Sequence, residues 1–328
     1  MYEKINDNPD IYKIYVPLPN NPLKNLNCYV IKTPEKNLII DTGFDMPECL
    51  AALKEGLEEL NIDIDKTDMF LTHLHSDHTG LVTQIMKNDS KIYMSKIDYE
   101  YIKYTTDAYW NIVDEEFIKE GFPVEELNSS RSINPAKAYA TKSPFYPITF
   151  DDNFKFKVGE FELAAILTPG HTPGHACLYL EKEKIMFLGD HVLFDISPNI
   201  TSWPNIKNSL LDYIKSLNKI RDIEIKVALP AHRKNEMELN VRIEQLLHHH
   251  DVRLQNTLDI ISTNLGINAY EIAKNLQWSM RGKNWSEFPV QQKWFAVGET
   301  LAHLDYLIED NKIYKKLDDS IYKYYLCS

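Results

Sequence analysis

The stretch Thr72-His73-Leu74-His75-Ser76-Asp77-His78-Thr79-Gly80 brings three imidazoles and a carboxylate into six consecutive positions. It directly follows the apolar run Met69-Phe70-Leu71, which is typical of a short buried strand. Residues two apart on an extended chain share a face, so His73 and His75 are expected to point the same way where this strand ends. Imidazole nitrogens beside a carboxylate oxygen are ligands that Zn²⁺ prefers, so the stretch predicts a metal site.

Length, composition and charge narrow the class of protein. The chain has 328 residues, 44% apolar and 26% charged, as expected of a globular protein with one large and one small domain. Its net charge of −12 argues against a nucleic-acid binder that works through a general basic surface. The four cysteines form no Cys-x-x-Cys pair, which indicates reduced thiols. The polar N-terminus and the absence of an apolar run of about 18 residues predict a cytoplasmic protein without a membrane segment.

Strand and helix patterns alternate in an order that repeats along the chain. Strands are predicted at residues 11–16, 27–32, 37–41, 91–95, 154–159, 161–167, 176–180, 184–188 and 225–229. Helices are predicted at residues 47–60, 79–87 and 205–220. Strands followed by helices, twice over, predict an α/β fold in which two sheets are sandwiched between helical layers.

An aromatic-rich insertion interrupts this pattern at about residues 96–147. Its first part is predicted to be helical, and its end is a loop that contains proline and serine. Such a segment is either a mobile lid over a site or a group of helices packed on the sheet. The sequence leaves both interpretations open.

The pattern changes again after residue 238. Helices are predicted at residues 239–265, 268–276 and 290–309, followed by a β-hairpin at residues 312–326. Three helices followed by a two-stranded wing are typical of a winged-helix module. We therefore predict one domain at residues 1–238 and a winged-helix-like α+β domain at residues 239–328.

Further ligand-type side chains follow the later strands. The loop 168–175, Thr-Pro-Gly-His-Thr-Pro-Gly-His, presents His171, while Asp190 and His232 each follow an apolar strand. Any one of them would be a weak signal, since a polar residue commonly ends a strand. Together with the first cluster, they place seven ligand-type residues at the ends of predicted strands.

This ordered series resembles the metallo-β-lactamase fold superfamily of metal-dependent hydrolases. The resemblance covers about residues 10–235, and every expected ligand position is filled. It implies an αββα sandwich with a two-metal site at one edge of the sheets, in a catalytic domain at residues 1–238. It also implies a first metal bound by His73, His75 and His171, a second bound by Asp77, His78 and His232, and a bridging Asp190.

The resemblance also implies the chemistry of this site. Two divalent cations about 3.5–4 Å apart lower the pKa of a bridging water towards 7 and so generate hydroxide. We expect Asp77 and Asp190 to be catalytic, with Asp77 orienting the hydroxide. Mainly neutral imidazoles with two carboxylates suit two zinc ions, and iron or manganese are alternatives. Around the ligands, Asp41 is expected to hold a ligand's ring or backbone, and His175 is expected to line the site.

Three function classes follow. The loop 168–175 resembles that of glyoxalase II, which implies hydrolysis of a small ester, thioester or lactone. The pairing of domains resembles the subgroup that contains β-lactamase-like protein 2, which leaves hydrolysis of single-stranded RNA or another phosphodiester as the alternative. A non-catalytic regulator is the third class, and the complete ligand set argues against it.

The charge of the second domain bears on its partners. Residues 240–328 contain ten Lys or Arg and eleven Asp or Glu, whereas a nucleic-acid-binding winged helix normally presents a basic face. We therefore expect a small-molecule substrate, with RNA as second choice and no membrane. The second domain is predicted to wall the substrate cleft and to be a possible homodimer contact.

Overall fold

The computed structural model describes residues 2–87, 89–105, 107–131, 135–279 and 284–327. The first of its two large sheets has seven strands that lie side by side in chain order. These strands are β1 (Tyr2–Asp7), β2 (Asp10–Pro17), β3 (Asn25–Lys32), β4 (Asn37–Ile40), β5 (Thr67–Phe70), β6 (Ile92–Ser95) and β7 (Ile148–Phe150). Strands β1 to β4 pair antiparallel, and β4 to β7 pair parallel.

The second sheet has five strands in the order β12-β11-β10-β9-β8. The strands are β8 (Phe154–Val158), β9 (Phe161–Leu167), β10 (Ala176–Leu180), β11 (Ile185–Gly189) and β12 (Val227–Pro230). Only the β11–β12 pair among them is parallel. The carboxyl ends of β4, β5, β9, β11 and β12 carry the loops in which the ligand candidates and Asp41 lie.

The two sheets pack face to face, with helices on their outer surfaces. On β11, Ile185 and Phe187 face the first sheet, whereas Met186 and Leu188 pack against helices. This strand is buried on both faces, which explains its uninterrupted apolar sequence. Helix α1 (Pro47–Glu59) covers the first sheet, and a later helix at residues 209–221 covers the second. The predicted αββα arrangement is confirmed.

The predicted helix at residues 79–87 is wrong. Two short helices take its place, α2 (Ser76–Thr79) and α3 (Val82–Ile85). The chain turns between them at Gly80, where an added Cβ would lie 2.5 Å from the backbone nitrogen of Asp45 and 2.6 Å from the carbonyl oxygen of Gly43. This close approach of backbone atoms leaves no room for a side chain at position 80.

The insertion is helical over most of its length. Its helices are α4 (Lys96–Tyr104), α5 (Asp107–Lys119), α6 (Val124–Arg131) and α7 (Pro135–Ala138). Buried side chains of α5 and α6, such as Phe117 and Leu127, belong to the same apolar core as the C-terminal helices. The structure therefore has helices packed on the fold here, while the mobility of this segment stays a prediction.

The remaining elements follow the predicted order. After α8 (Ser209–Arg221) and β12 come α9 (Leu239–Thr263), α10 (Ala269–Asn275), α11 (Val290–Glu309) and the hairpin β13 (Ile313–Asp318) and β14 (Ile321–Leu326). One apolar core contains residues from both sides of position 238, including Leu210 of α8 and Leu304 of α11. The domain boundary at residues 238/239 stays a prediction. In the described part of the chain, no helix is both long and apolar enough to span a membrane.

Candidate metal centre

The seven ligand candidates come from four separate loops that meet at one edge of the sandwich. The loop after β5 and helix α2 carry the first four, while the loops after β9, β11 and β12 carry one each. The two sheets are joined at this edge through their backbones. The N–H of Ala176 donates a hydrogen bond to the carbonyl of Thr72 at 2.9 Å. These junctions bring residues that are far apart in sequence into one cluster.

Three histidines form the first group. Nδ1 of His75 lies 3.0 Å from Nε2 of His73 and 3.1 Å from Nε2 of His171. Nitrogens bound to one zinc ion at about 2.0–2.1 Å in a tetrahedron would lie about 3.3 Å apart, so this spacing suits a shared cation. His73 and His171 are buried, while His75 is half-buried.

Asp77, His78 and His232 form the second group. Oδ2 of Asp77 lies 3.4 Å from Nε2 of His232 and 3.8 Å from Nε2 of His78. One potential ligand atom from each of the three residues lies within 4.8 Å of the other two. All three side chains are buried.

Asp190 lies between the two groups and uses a different oxygen towards each. Its Oδ2 lies 3.5 Å from Nε2 of His171 in the first group. Its Oδ1 lies 3.3 Å from Nε2 of His232 and 3.7 Å from Nε2 of His78 in the second. The structure thus places this carboxylate where a bridge between the groups would have to be.

Hydrogen bonds determine which ring nitrogen of His78, His171 and His232 faces the centre. Nδ1 of His78 bonds Asp41, Nδ1 of His171 bonds the carbonyl of Asn199, and Nδ1 of His232 bonds the carbonyl of Asn25, each at 2.8 Å. Because these acceptors require a protonated Nδ1, each of these rings presents an unprotonated Nε2 to the cluster when it is in its neutral form.

Several inward-facing atoms are buried without a partner. Among the described residues, none offers a hydrogen bond to Nε2 of His78, Nε2 of His232 or Oδ1 of Asp190, although all three atoms are inaccessible to solvent. Buried polar atoms are normally paired, because leaving one unpaired costs about 1–3 kcal/mol. A cation held at this point would satisfy all three, so the residues present suit a metal centre.

The pKa shifts in the cluster also favour positive charge at this point. Burial, followed by repulsion from His171, lowers the pKa of His75 to about 3 and keeps that imidazole neutral. Burial alone would raise the pKa of Asp77, but attraction to His78 and His232 lowers it to about 2. Burial would lower the pKa of His232, but Asp190 and Asp77 raise it well above its usual range. The ionised carboxylates thus draw positive charge to this point, which a divalent cation would supply.

The structure places Asp41 and His175 directly behind the ligand candidates. Asp41 accepts hydrogen bonds from the backbone N–H of Thr72 at 2.9 Å, from its hydroxyl at 2.8 Å, and from His78. Nε2 of His175 accepts the backbone N–H of Asp190 at 3.1 Å, and its Nδ1 donates to the hydroxyl of Thr168 at 2.8 Å. His175 is fully buried, so its ring supports the backbone of Asp190 behind the cluster.

Sequence reasoning missed Asp98, a fully buried carboxylate on α4. It accepts hydrogen bonds from the backbone N–H of Leu74, the hydroxyl of Thr172 and the backbone N–H of Gly174. Burial raises the pKa of Asp98 to about 7, and these three donors oppose that rise. Its sequence signal, a serine three residues earlier that caps the helix, marks a helix start and says nothing of this contact.

Comparison with known proteins agrees with the fold and the cluster. Residues 22–232 match the metallo-beta-lactamase superfamily, and residues 286–327 match the metallo-beta-lactamase-like C-terminal domain. The protein therefore belongs to the metallo-beta-lactamase superfamily of hydrolases, whose members typically bind divalent metals.

Individual relatives cover different shares of the chain. A beta-lactamase-like protein 2 homolog from Caenorhabditis elegans is 23% identical over 273 residues, which are 80% of this chain and 77% of that protein. An atrochrysone carboxyl ACP thioesterase from Emericella nidulans is 27% identical over 215 residues, 66% of this chain and 53% of the fungal protein. The matched segment thus spans about half of that fungal relative.

A solved structure resembles nearly the whole chain. A metallo-beta-lactamase family protein from Thermus thermophilus superimposes with a TM-score of 0.78 at 26% identity, over 97% of this chain and 98% of that one. The C-terminal helices and hairpin are therefore part of a shared architecture.

Proposed function

We propose that this protein is a metal-dependent hydrolase that cleaves a small ester-type substrate, a thioester in the first place, at a centre of two divalent ions. The observation that carries this proposal is the convergence of seven ligand-type side chains, three of whose inward atoms (Nε2 of His78, Nε2 of His232 and Oδ1 of Asp190) are buried without a hydrogen-bond partner. His73, His75 and His171 would hold one ion, and Asp77, His78 and His232 the other. Asp190 would serve both through its two oxygens.

The protein's own residues set up the reaction in this proposal. When bound, the metal ions supply a nucleophilic hydroxide near neutral pH and stabilise the negative charge that develops on the substrate oxygen. Asp77 orients the attacking water through its carboxylate and accepts a hydrogen bond from it. Asp190, held through its backbone by His175, keeps the two groups of ligands at a fixed separation.

The name of one relative and the sequence of one loop both favour a thioester substrate. One fungal relative is named as an acyl carrier protein thioesterase, and the loop at residues 168–175 resembles that of glyoxalase II. The ring of Trp203 stacks on His75 with centroids 6.2 Å apart and places an aromatic surface beside the site. An aromatic surface suits an uncharged acyl group better than a phosphodiester.

The lysines of the C-terminal region give little support to an RNA substrate. Lys315 is committed to an ion pair with Glu120 at 3.1 Å, and Lys293 to one with Glu126 at 2.9 Å. The net charge of −1 over residues 240–328 gives weak electrostatic support for binding the phosphates of an RNA strand.

We propose zinc as the metal, because histidine nitrogens outnumber carboxylates in the cluster. Metal analysis of protein purified without chelators tests this directly. Two zinc ions per chain are expected. One ion per chain, or iron or manganese in place of zinc, would overturn this part of the proposal.

A substrate panel tests the reaction. Acyl thioesters, a lactone, bis-p-nitrophenyl phosphate and a labelled single-stranded RNA are incubated with the zinc-loaded protein. We expect the protein to hydrolyse thioesters. The Asp190→Ala variant should do so at least about 100-fold more slowly, because it lacks the carboxylate that both groups share. Asp222→Ala, at an exposed position after α8, is the control and should keep wild-type rates. RNA cleavage without thioester hydrolysis would favour the alternative function.

A further inference from the structure

A loop at residues 199–203 lies between the candidate metal centre and the C-terminal helix α11. On its inner side, the carbonyl oxygen of Asn199 accepts a hydrogen bond from Nδ1 of His171 at 2.8 Å. Also on that side, Trp203 stacks on His75 with an interplanar angle of 26°. Two of the three histidines of the first group are thus in contact with this one loop.

The side chain of Asn199 anchors the loop to α11. Its Nδ2 donates to Oε2 of Glu299 at 3.0 Å and lies 3.4 Å from the carbonyl oxygen of Phe295. These two acceptors are four residues apart and therefore lie on one face of the helix. The same residue thereby bonds His171 through its backbone and α11 through its side chain.

Ser202 supplies a second set of anchors on the same helix. Its N–H donates to the carbonyl of Gly298 at 3.1 Å, and its hydroxyl donates to Oδ2 of Asp305 at 2.8 Å. A Cβ at position 298 would come 2.3 Å from Oγ1 of Thr201, so the loop lies directly against the helix backbone. Two hydrogen bonds and a close backbone contact thus attach the loop to α11.

Glu299 is a buried carboxylate with two distinct partners. Its Oε1 forms an ion pair with Nε of Arg253 on α9 at 3.3 Å, and its Oε2 accepts the hydrogen bond from Nδ2 of Asn199. Arg253 in turn packs its guanidinium over the ring of Trp278, 4.1 Å from the centroid. A buried carboxylate is stable only when donors surround it, so its position is tightly defined by these contacts.

From these contacts we infer that Glu299 is a positioning residue for the candidate metal ligand His171 and acts through Asn199. The C-terminal region is then part of the structure that holds a metal ion at the first histidine group. This inference rests on the proposed metal centre and is independent of the substrate. Removing a residue that orients a ligand ring typically weakens metal binding by about 10–100-fold.

A purely structural role for α11 is the competing explanation. Ala296, Val297, Leu301 and Leu304 of this helix are buried in the apolar core, so any damage to α11 lowers stability. The two explanations differ in what Asn199→Ala does. This substitution keeps the carbonyl that bonds His171 and removes only the anchor of that carbonyl to Glu299.

Measurements of metal affinity distinguish the positioning role of Glu299 from a purely structural role of α11. Glu299→Ala, Asn199→Ala and the double variant are compared with Lys293→Ala, which breaks the ion pair of the same helix with Glu126 and leaves the loop untouched. Zinc affinity is measured by competition with a chromogenic chelator on the full chain. We expect each of the first two variants to bind one of two zinc ions about 10–100-fold more weakly. The double variant should lose no more than the stronger single one, because both act along one path.

A second readout does not depend on metal. In protein labelled with ¹⁵N-histidine, the Nδ1–H of His171 should give a hydrogen-bonded resonance that shifts in Glu299→Ala and Asn199→Ala and stays in Lys293→Ala. Wild-type zinc affinity together with an unshifted resonance in both variants would overturn the inference. A wild-type protein that binds two zinc ions and hydrolyses no ester would overturn the proposed substrate class and leave the inference standing.

Discussion

Oδ2 of Asp41 lies 2.8 Å from Nδ1 of His78 and 2.8 Å from the hydroxyl oxygen of Thr72. Its Oδ1 accepts the backbone N–H of Thr72 at 2.9 Å. Thr72 in turn lies 3.0 Å from Nδ1 of its neighbour His73 through the same hydroxyl. One buried carboxylate therefore orients a histidine from each group of ligand candidates.

The first prediction concerns Asp41→Asn. An amide nitrogen cannot accept the hydrogen bonds of His78 and Thr72, so the ring of His78 loses its fixed orientation. We expect zinc to bind about 10–100-fold more weakly, measured by chelator competition. Asp68→Asn is the matched control, since Asp68 is a buried carboxylate at the other end of the same sheet and accepts the N–H of Lys91 at 3.0 Å. An equal loss of affinity in both variants would contradict the positioning role.

The second prediction concerns Asp98→Ala, which removes the link between the loop of His75 and the loop of His171. The N–H groups of Leu74 and Gly174 would be left buried and unpaired, at about 1–3 kcal/mol each. Urea denaturation should show a loss of at least about 2 kcal/mol in the free energy of unfolding. Glu100→Ala, on the same helix with an exposed ion pair to Lys103, should change it by less than about 0.5 kcal/mol. Equal stability of the two variants would show that Asp98 does not join the loops.

The ligand candidates were predictable because each is a distinctive residue type at the end of an apolar strand. His171, Asp190 and His232 all follow strands whose carboxyl ends meet at one edge, as the periodicity and order of elements indicate. The two-sheet architecture followed from the same strand pattern. Strand β1 was not predicted, because its sequence is polar and it lies at the edge of the sheet with mostly exposed side chains.

Other supporting residues (Asp98, Asn199 and Asn25) were not predictable, because their partners are set only by the tertiary fold. Asp98 is 24 residues from Leu74 and 74 residues from Thr172 in sequence. Asn199 and Asn25 bond their histidines through backbone carbonyls, which every residue type possesses. No residue pattern can therefore mark these positions as part of the site.

The third prediction is a dependence of stability on pH that comes from Asp305. Burial raises the pKa of this carboxyl to about 6, whereas the unfolded chain has its ordinary value of about 3.9. The folded state therefore holds the proton more tightly, so the contribution to stability is complete below about pH 4 and is lost as the pH rises through about 6. Asp305→Asn keeps a neutral side chain and lacks this loss.

Denaturation of both proteins at pH 5 and pH 7.5 measures the effect. From pH 5 to pH 7.5, the wild type should lose about 1 kcal/mol of unfolding free energy relative to Asp305→Asn. Asp310→Asn, at an exposed position just after the same helix, should follow the wild type. Parallel pH profiles for the wild type and Asp305→Asn would contradict the shifted pKa of Asp305.

The fourth prediction concerns the contact of the C-terminal hairpin with the helical insertion. The buried hydroxyl of Tyr324 donates to Oε2 of Glu120 at 2.8 Å, and Lys315 pairs with Oε1 of the same carboxylate at 3.1 Å. Tyr324→Phe removes one of these partners from a buried carboxylate and should lower the free energy of unfolding by about 1.5–3 kcal/mol, as for hydrogen bonds to charged groups. The adjacent Tyr325 is half-buried and stacks on Tyr314, so Tyr325→Phe keeps its ring contact and should cost less than about 0.5 kcal/mol. Urea denaturation of the two variants decides the point, and a loss in Tyr324→Phe no larger than that in Tyr325→Phe would show that the hydrogen bond to Glu120 does not hold the hairpin.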